Sequence, residues 1–339
     1  MTIQQALANL LDGLDLSRSD ARKVMDTIMS GEATPAQIGG FLVALRLKGE
    51  TADEIAGCAE AMRAHVLPVK AKRDDLVDTA GTGGDGGKTF NISTAAALVA
   101  AAAGAGVAKH GNRSVSSKAG SADVLESLGF ELELPPVRIA QSIDELGFGF
   151  MFAPTHHPSM RHAAPVRREL AARTVFNVLG PLTNPAGARA QIVGVYSPLL
   201  VPVIADVLAA LGARRAFVVH GASGIDELSP TGPNLLYEVF EGSVRRREID
   251  PLDLGVERCD PNELRGGDAD ENAAKIREVF AGGNGGRRSA ILLNAAGAIA
   301  AAGHAADLRE GLEAARDALD SGAAAARLEQ LVSFSNGAR

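Results

Sequence analysis

The chain has 339 residues, 46% of them hydrophobic and 22% charged, the balance of a folded globular protein of at most two domains and not of a disordered chain. Lys plus Arg number 34 and Asp plus Glu 41, so the net charge is −7 and the cation surplus that a general nucleic-acid binder needs is missing. Two cysteines, Cys58 and Cys259, exclude a disulfide framework or a zinc knuckle, and the longest apolar run, 95–108, is too short and too rich in Ala and Gly to span a bilayer.

The N-terminus has no Lys or Arg ahead of an apolar stretch, so it does not read as a secretory signal, and a cytoplasmic location is expected. The first 66 residues predict helices alone. Thr2 with Gln5 and Thr51 with Glu54 are spaced as capping boxes, and Thr34–Pro35 sets a cap before a proline at the first helical position. Gly13, Gly31 and Gly49 fall where those helices should end. Four short helices of this kind leave a face to pack on something else. From Leu76 short apolar runs at 76–80, 106–110, 148–153, 191–196 and 216–220 alternate with helical stretches at 93–104, 119–128, 198–211 and 270–281. The alternation predicts a mostly parallel central sheet covered on both faces, and an Ala-rich C-terminal third reads as helical packing. The expected fold class is α/β: a small all-helical N-terminal domain, 1–73, and a larger α/β domain, 74–339.

Such sheets bind ligands beyond the carboxyl ends of their strands, and three strand ends here carry polar, glycine-rich sequence. After the first strand come Gly81-Thr-Gly-Gly84-Asp85-Gly-Gly-Lys-Thr89, five glycines in the seven residues 81–87, then Asn91-Ile92-Ser93-Thr94 opening a helix. Glycines let backbone approach an anion, and the helix start offers unpaired N–H groups. The stretch is neither a dinucleotide fingerprint, because the next strand ends in Lys109-His110 without an acidic residue, nor a P-loop, because Thr82 stands where the first glycine belongs. After the second strand come Lys109-His110-Gly111-Asn112-Arg113-Ser114-Val115-Ser116-Ser117-Lys118-Ala-Gly-Ser121, three cations and four serines that suit a phosphate or diphosphate. After the last, the adjacent carboxylates Asp226 and Glu227 repel each other unless a cation joins them, and their hard oxygens suit Mg²⁺. Arg167, on a predicted helix, could clamp a carboxylate in bidentate fashion, with Arg168 expected to point about 100° away. His156-His157-Pro158 reads as structural, since neighbouring imidazoles diverge and no third ligand is near in sequence.

Gly81-Thr-Gly-Gly-Asp85, Asn91-Ile-Ser-Thr94, the run Lys109–Ser117, Asp226-Glu227 and Asn177-x-x-Gly-Pro-Leu-Thr-Asn-Pro185 together resemble the anthranilate phosphoribosyltransferase family of tryptophan biosynthesis, over nearly the whole chain. The departures are slight, such as Ala80 in place of a larger aliphatic residue. The resemblance implies the two-domain fold above, a homodimer joined through the helical parts, and a segment 158–185 that returns to the helical domain. It implies phosphoribosyl diphosphate on Gly81, Gly84, Asp85, Thr89, Asn91, Ile92, Ser93 and Thr94, on Lys109 to Ser117 and on Ser121. It further implies Mg²⁺ on Ser93, Asp226 and Glu227, and anthranilate on Gly81, Asn112 and Arg167. No essential general base is implied, because an aromatic amine is neutral at pH 7; His110 could accept its proton. Two rivals are a pyrimidine nucleoside phosphorylase, which would show a Lys-x-Ser-Thr-Gly-Gly pattern, and a catalytically silent relative that binds nucleic acid, against which the −7 charge and the Asp226-Glu227 pair weigh.

Overall fold

The structure, a computed structural model, describes residues 1–83, 89–114 and 118–337. Four helices open the chain: α1 (Ile3–Leu11), α2 (Arg18–Met29), α3 (Pro35–Lys48) and α4 (Ala52–Ala64). Thr2, Thr34 and Thr51 each cap the helix that follows, and Gln5, Gln37 and Glu54 return the bond to the cap's own N–H. Gly13, Gly31 and Gly49 sit at positive φ just beyond helix ends, as expected. Helices α2 and α4 pack so closely that a Cβ on Gly57 would meet the Arg18 carbonyl oxygen at 2.2 Å.

The rest of the chain runs β1 (Leu76–Gly81), α5 (Ile92–Ala102), β2 (Gly106–Gly111), α6 (Ser121–Ser127), α7 (Pro136–Leu146), β3 (Phe148–Phe152), α8 (Ala153–His156), α9 (Ala164–Leu170), α10 (Phe176–Leu179), β4 (Ala190–Gly194), α11 (Leu200–Ala210), β5 (Arg215–His220), β6 (Asn234–Phe240), β7 (Ser243–Ile249), α12 (Ala269–Phe280), α13 (Gly286–Ala302), α14 (Leu308–Asp320) and α15 (Ala323–Asn336). The strands form one sheet in the order β3-β2-β1-β4-β5-β6-β7. The five expected strands are its parallel part. The antiparallel β6–β7 hairpin was not anticipated, because β7 is a mostly exposed edge strand, Ser-Val-Arg-Arg-Arg-Glu-Ile, without apolar alternation. Among the described residues no helix is long and apolar enough to cross a membrane.

From β1 the chain moves outward to β2 and β3, then returns to the other side of β1 as β4. That reversal makes β1 and β4 the switch point of the sheet, with Gly81 registered beside Gly194 at the carboxyl ends where a crevice must open. One apolar cluster joins strand residues such as Val77 and Ile192 to the Ala-rich helices α5 and α13 and to α14 and α15. A second joins Val193, Ala216, Val218 and Val239 to α11, and continues without a break into the cores of α1–α4 and into Ala163, Val166, Phe176, Leu179 and Leu182. The α9–α10 segment is therefore fixed on the helical side: a Cβ on Gly39 of α3 would lie 3.6 Å from Val166, and Arg63 Nε of α4 donates to the Leu182 carbonyl at 2.7 Å. This segment faces the strand ends across the crevice.

Candidate active site

A cleft of about 890 Å³ lies beyond β1, β2 and β4, and every described candidate residue except Ile92 lines it. Ile92 is buried in the core, and its N–H donates to the Phe90 carbonyl at 2.7 Å. Gly84, Asp85, Val115, Ser116 and Ser117 lie outside the described residues.

The floor of the cleft is a buried charge lattice. Asp78 on β1 accepts from the His110 N–H at 3.1 Å and from Asn184 Nδ2 at 2.7 Å, and the same Nδ2 donates to the Ala108 carbonyl at 2.8 Å. Asn184 thus ties the returning segment to β1 and β2 at once. Burial pushes the Asp78 carboxyl up to about 6, against the pull of Lys109. Lys109, itself buried, donates its Nζ to the Thr79 carbonyl and to Thr79 Oγ1. Burial depresses its ammonium, while Asp78 and Glu227 hold it charged. Lys109 accordingly works from beneath the cleft.

Above this floor, the loop after β5 carries Asp226 and Glu227 over the ends of β1 and β4. A Cβ on Gly194 would lie 1.5 Å from the Asp226 carbonyl oxygen, so that position requires glycine, and one on Gly81 would lie 2.3 Å from Asp226 Oδ2 and displace the carboxylate. Asp226 Oδ2 accepts the Gly83 N–H at 2.9 Å, and Glu227 Oε1 accepts the Ser93 N–H at 3.1 Å. The surrounding protein and then Asp226 raise the Glu227 carboxyl well above the usual range. Among the described residues no group of three His, Cys, Asp or Glu is placed to hold a metal. The candidate set is two repelling carboxylates with the Ser93 hydroxyl, hard oxygens that fit a cation such as Mg²⁺, which keeps most of its other ligands as water or phosphate.

Helix α5 starts without a side-chain cap, because Asn91 is turned elsewhere: its Nδ2 donates to the Ala119 carbonyl at 3.3 Å and its Oδ1 accepts from Asn272 at 2.9 Å. Asp123 Oδ2 accepts the Ser114 and Gly120 N–H groups, on either side of residues 115–117. Arg113 is engaged on the outside, with Asp123 at 3.0 Å and Glu126 at 2.8 Å, and is not aimed at the floor. Ser121 Oγ donates to the Asn112 carbonyl at 3.4 Å.

The opposite wall comes from α9, α10 and the turn between them. Arg167 is partly buried with its guanidinium 5.0 Å over the Phe176 ring and no acidic partner among the described residues; burial lowers its pKa. Arg173 stacks 4.0 Å over Tyr196, which follows β4, so the two walls touch there. Arg168 also borders the cleft, contrary to the expectation from helical spacing, because α9 lies along the cleft edge and Arg168 is exposed at its rim. His110 directs Nδ1 to the Gly180 carbonyl at 3.2 Å and packs 4.9 Å from the His157 ring. His156 directs Nδ1 to the Leu67 carbonyl at 2.8 Å, in keeping with a structural pair.

The family described as glycosyl transferase family, a/b domain, matches residues 73–325, and its helical bundle domain matches residues 4–66. An anthranilate phosphoribosyltransferase of Anaeromyxobacter sp. (strain Fw109-5) is 56% identical over 335 residues, 99% of either chain. The chain belongs to the anthranilate phosphoribosyltransferase family. The crystal structure of the family member from Thermus thermophilus matches with a TM-score of 0.93 at 48% identity, over 98% of this chain and 99% of that one. The Saccharomyces cerevisiae enzyme, solved in complex with PRPP and Mg, matches with a TM-score of 0.90 at 29% identity, over 99% and 98%. The family resemblance and the α/β architecture read from the sequence are borne out, and the nucleoside phosphorylase and silent-relative readings fall away.

Sequence reasoning missed Asn272, inside α12, which no local motif marks. It also gave Asn184 no role, although a buried amide following Gly-Pro-Leu-Thr is where two segments must be tied. Asp123 could have been found, since Gly120 and Asp123 are spaced as a helix cap.

Three buried imidazoles, His110, His156 and His157, are all held below the usual histidine range by burial and set a pH dependence. Burial, then His157, depresses His110 to about 3, and burial, then His156, depresses His157 to about 4. Unfolded imidazoles take up protons near 6.5 while the folded ones stay neutral, so stability is intact above that pH and falls as pH drops toward 4. Each should remove on the order of 1 kcal/mol per pH unit in that window. Urea unfolding at several pH values should show the decline, and His157→Asn should reduce its slope; a stability flat from pH 7 to 4.5 would contradict the assignment.

Proposed function

We propose that this chain transfers the 5-phosphoribosyl group of phosphoribosyl diphosphate to the amine of anthranilate, giving N-(5-phosphoribosyl)anthranilate and diphosphate, with Mg²⁺, as a step of tryptophan biosynthesis. The observation that carries this reading is one cleft with the Asp226–Glu227 pair and two strand ends on one wall and Arg167, without an acidic partner among the described residues, on the other.

In this reading phosphoribosyl diphosphate lies along the sheet wall, on Gly81, Gly84, Asp85, Thr89, the α5 start from Asn91 to Thr94, the Lys109–Ser117 loop and Ser121. The uncapped α5 N-terminus favours its negative charge. Asp226 and Glu227, with Ser93, would hold Mg²⁺, which supplies Lewis-acid stabilisation of the departing diphosphate. The bond from C1 to the diphosphate oxygen breaks with its electron pair on diphosphate, the amine nitrogen bonds to C1, and the amine then loses a proton. Arg167 holds the anthranilate carboxylate, Gly81 and Asn112 border it, and the two walls bring amine and C1 together. His110 is neutral and too weakly basic at about 3 to act as more than a passing acceptor, in keeping with an amine that needs no strong base.

The same proposal divides the chain into a helical domain, 1–73, and an α/β domain, 74–339, with 158–185 packed on the first. It places the enzyme in the cytoplasm, a reading supported by its two free thiols. It makes the enzyme a homodimer through the helical part, where Leu11, Leu14, Val43 and Leu47 are exposed and the last two stand four apart on α3. Sedimentation should give the mass of two chains, reduced to one in Val43→Glu/Leu47→Glu; a wild-type mass of one chain would contradict this.

Loss of anthranilate fluorescence on adding phosphoribosyl diphosphate and Mg²⁺ tests the reaction itself. A charge-assisted bond to a carboxylate contributes ~1.5–3 kcal/mol. Arg167→Ala should therefore lower kcat/KM for anthranilate by about 10- to 150-fold and leave the KM for phosphoribosyl diphosphate nearly unchanged. The reverse pattern would move Arg167 to the phosphate site.

A further inference from the structure

Beside the cleft lies a second cavity of about 530 Å³, between Thr89, the 223–231 loop and the 261–266 segment. Its charged lining residues, among the described residues, are Lys118 and Arg265, with no carboxylate. Neither cation has an ion pair or side-chain hydrogen bond among the described residues. In a chain with 41 acidic and 34 basic residues, two cations without an acid on one cavity are not the average surface.

A relay of hydroxyls forms another side. Thr231 Oγ1 lies 2.9 Å from Ser223 Oγ and 2.8 Å from Ser229 Oγ, and Ser229 is fully buried. Ser223 adopts φ 67° and ψ 10°, a left-handed conformation that a residue with a side chain takes only where its surroundings hold it there. Two cations and a set of hydroxyls on one cavity, with no acid among its described lining residues, are the donor set of a phosphate group. The apolar Ile225, Pro261 and Leu264 extend the cavity beyond what a bare phosphate fills.

We propose that this cavity is a second oxyanion site that binds a phosphate or diphosphate group without a metal, beside the reacting cleft. It does not rest on the transfer reaction. Thr89 and Lys118 border both cavities, but Arg265 borders this one and not the cleft, so Arg265 reports on it alone. The group can come from free diphosphate or from an organic phosphate.

The test is calorimetric titration of the full chain, in EDTA, with inorganic diphosphate and separately with ribose 5-phosphate. EDTA removes the Mg²⁺ that the carboxylate pair would need to hold an anion in the cleft. At least one of the two should bind saturably at one site per chain, and whichever binds more tightly identifies the source. Arg265→Ala should weaken that binding at least tenfold, and Arg265→Lys should restore much of it. Arg265 is exposed, so its truncation should leave the fold and melting temperature unchanged. Absence of saturable binding by both anions, or binding that Arg265→Ala leaves unaltered, would overturn the proposal.

Discussion

Two carboxylates, Asp78 and Glu227, face one buried lysine at the carboxyl ends of the strands, and a third, Asp226, stands beside Glu227. Lys109 faces Asp78 and Glu227 together, so one positive charge answers for more than one negative. Burial drives both Asp78 and Glu227 up, and Glu227 is raised further by Asp226 beside it. A divalent cation relieves that repulsion without a proton, which is the physical reason to read the pair as a metal site. Much of the surrounding architecture serves to keep these charges close. Gly81 and Gly194 lack side chains where the Asp226 backbone and carboxylate descend on the sheet, and Asp78 uses its remaining acceptor to hold Asn184.

Through Asn184 the same lattice reaches the other wall. The returning segment is packed on α3 and α4 by Val166 and Leu182, and it is pinned to the sheet by the amide of Asn184 and the Nδ1 of His110. Arg167 and the carboxyl ends of β1 and β2 are therefore tied into one packed framework even though they lie far apart in sequence.

The sequence made the parallel strands, the helical N-terminus and the loop positions legible because each has a local cause: alternation of apolar runs, caps at Thr2, Thr34 and Thr51, and glycines at strand ends. The β6–β7 hairpin escaped because an edge strand that is charged along most of its length has no apolar period to read. The burial of Lys109 is not legible in the sequence either, since it depends on β1 and β3 flanking β2 on both sides. Asn272 and the rim position of Arg168 depend on how whole helices lie against the cleft, which no spacing within a single helix encodes.

The central claim is that the carboxylate pair is the seat of a metal-bound phosphorylated substrate. The direct measurement is the initial rate of anthranilate fluorescence loss for Asp226→Asn/Glu227→Gln across a Mg²⁺ titration, alongside its circular dichroism and melting temperature. The expected result is a folded protein with kcat/KM reduced at least about 100-fold, a loss of transition-state stabilisation of ~2.7 kcal/mol or more, not recovered by added Mg²⁺. A folded double variant working within threefold of the wild type at ordinary Mg²⁺ would contradict it.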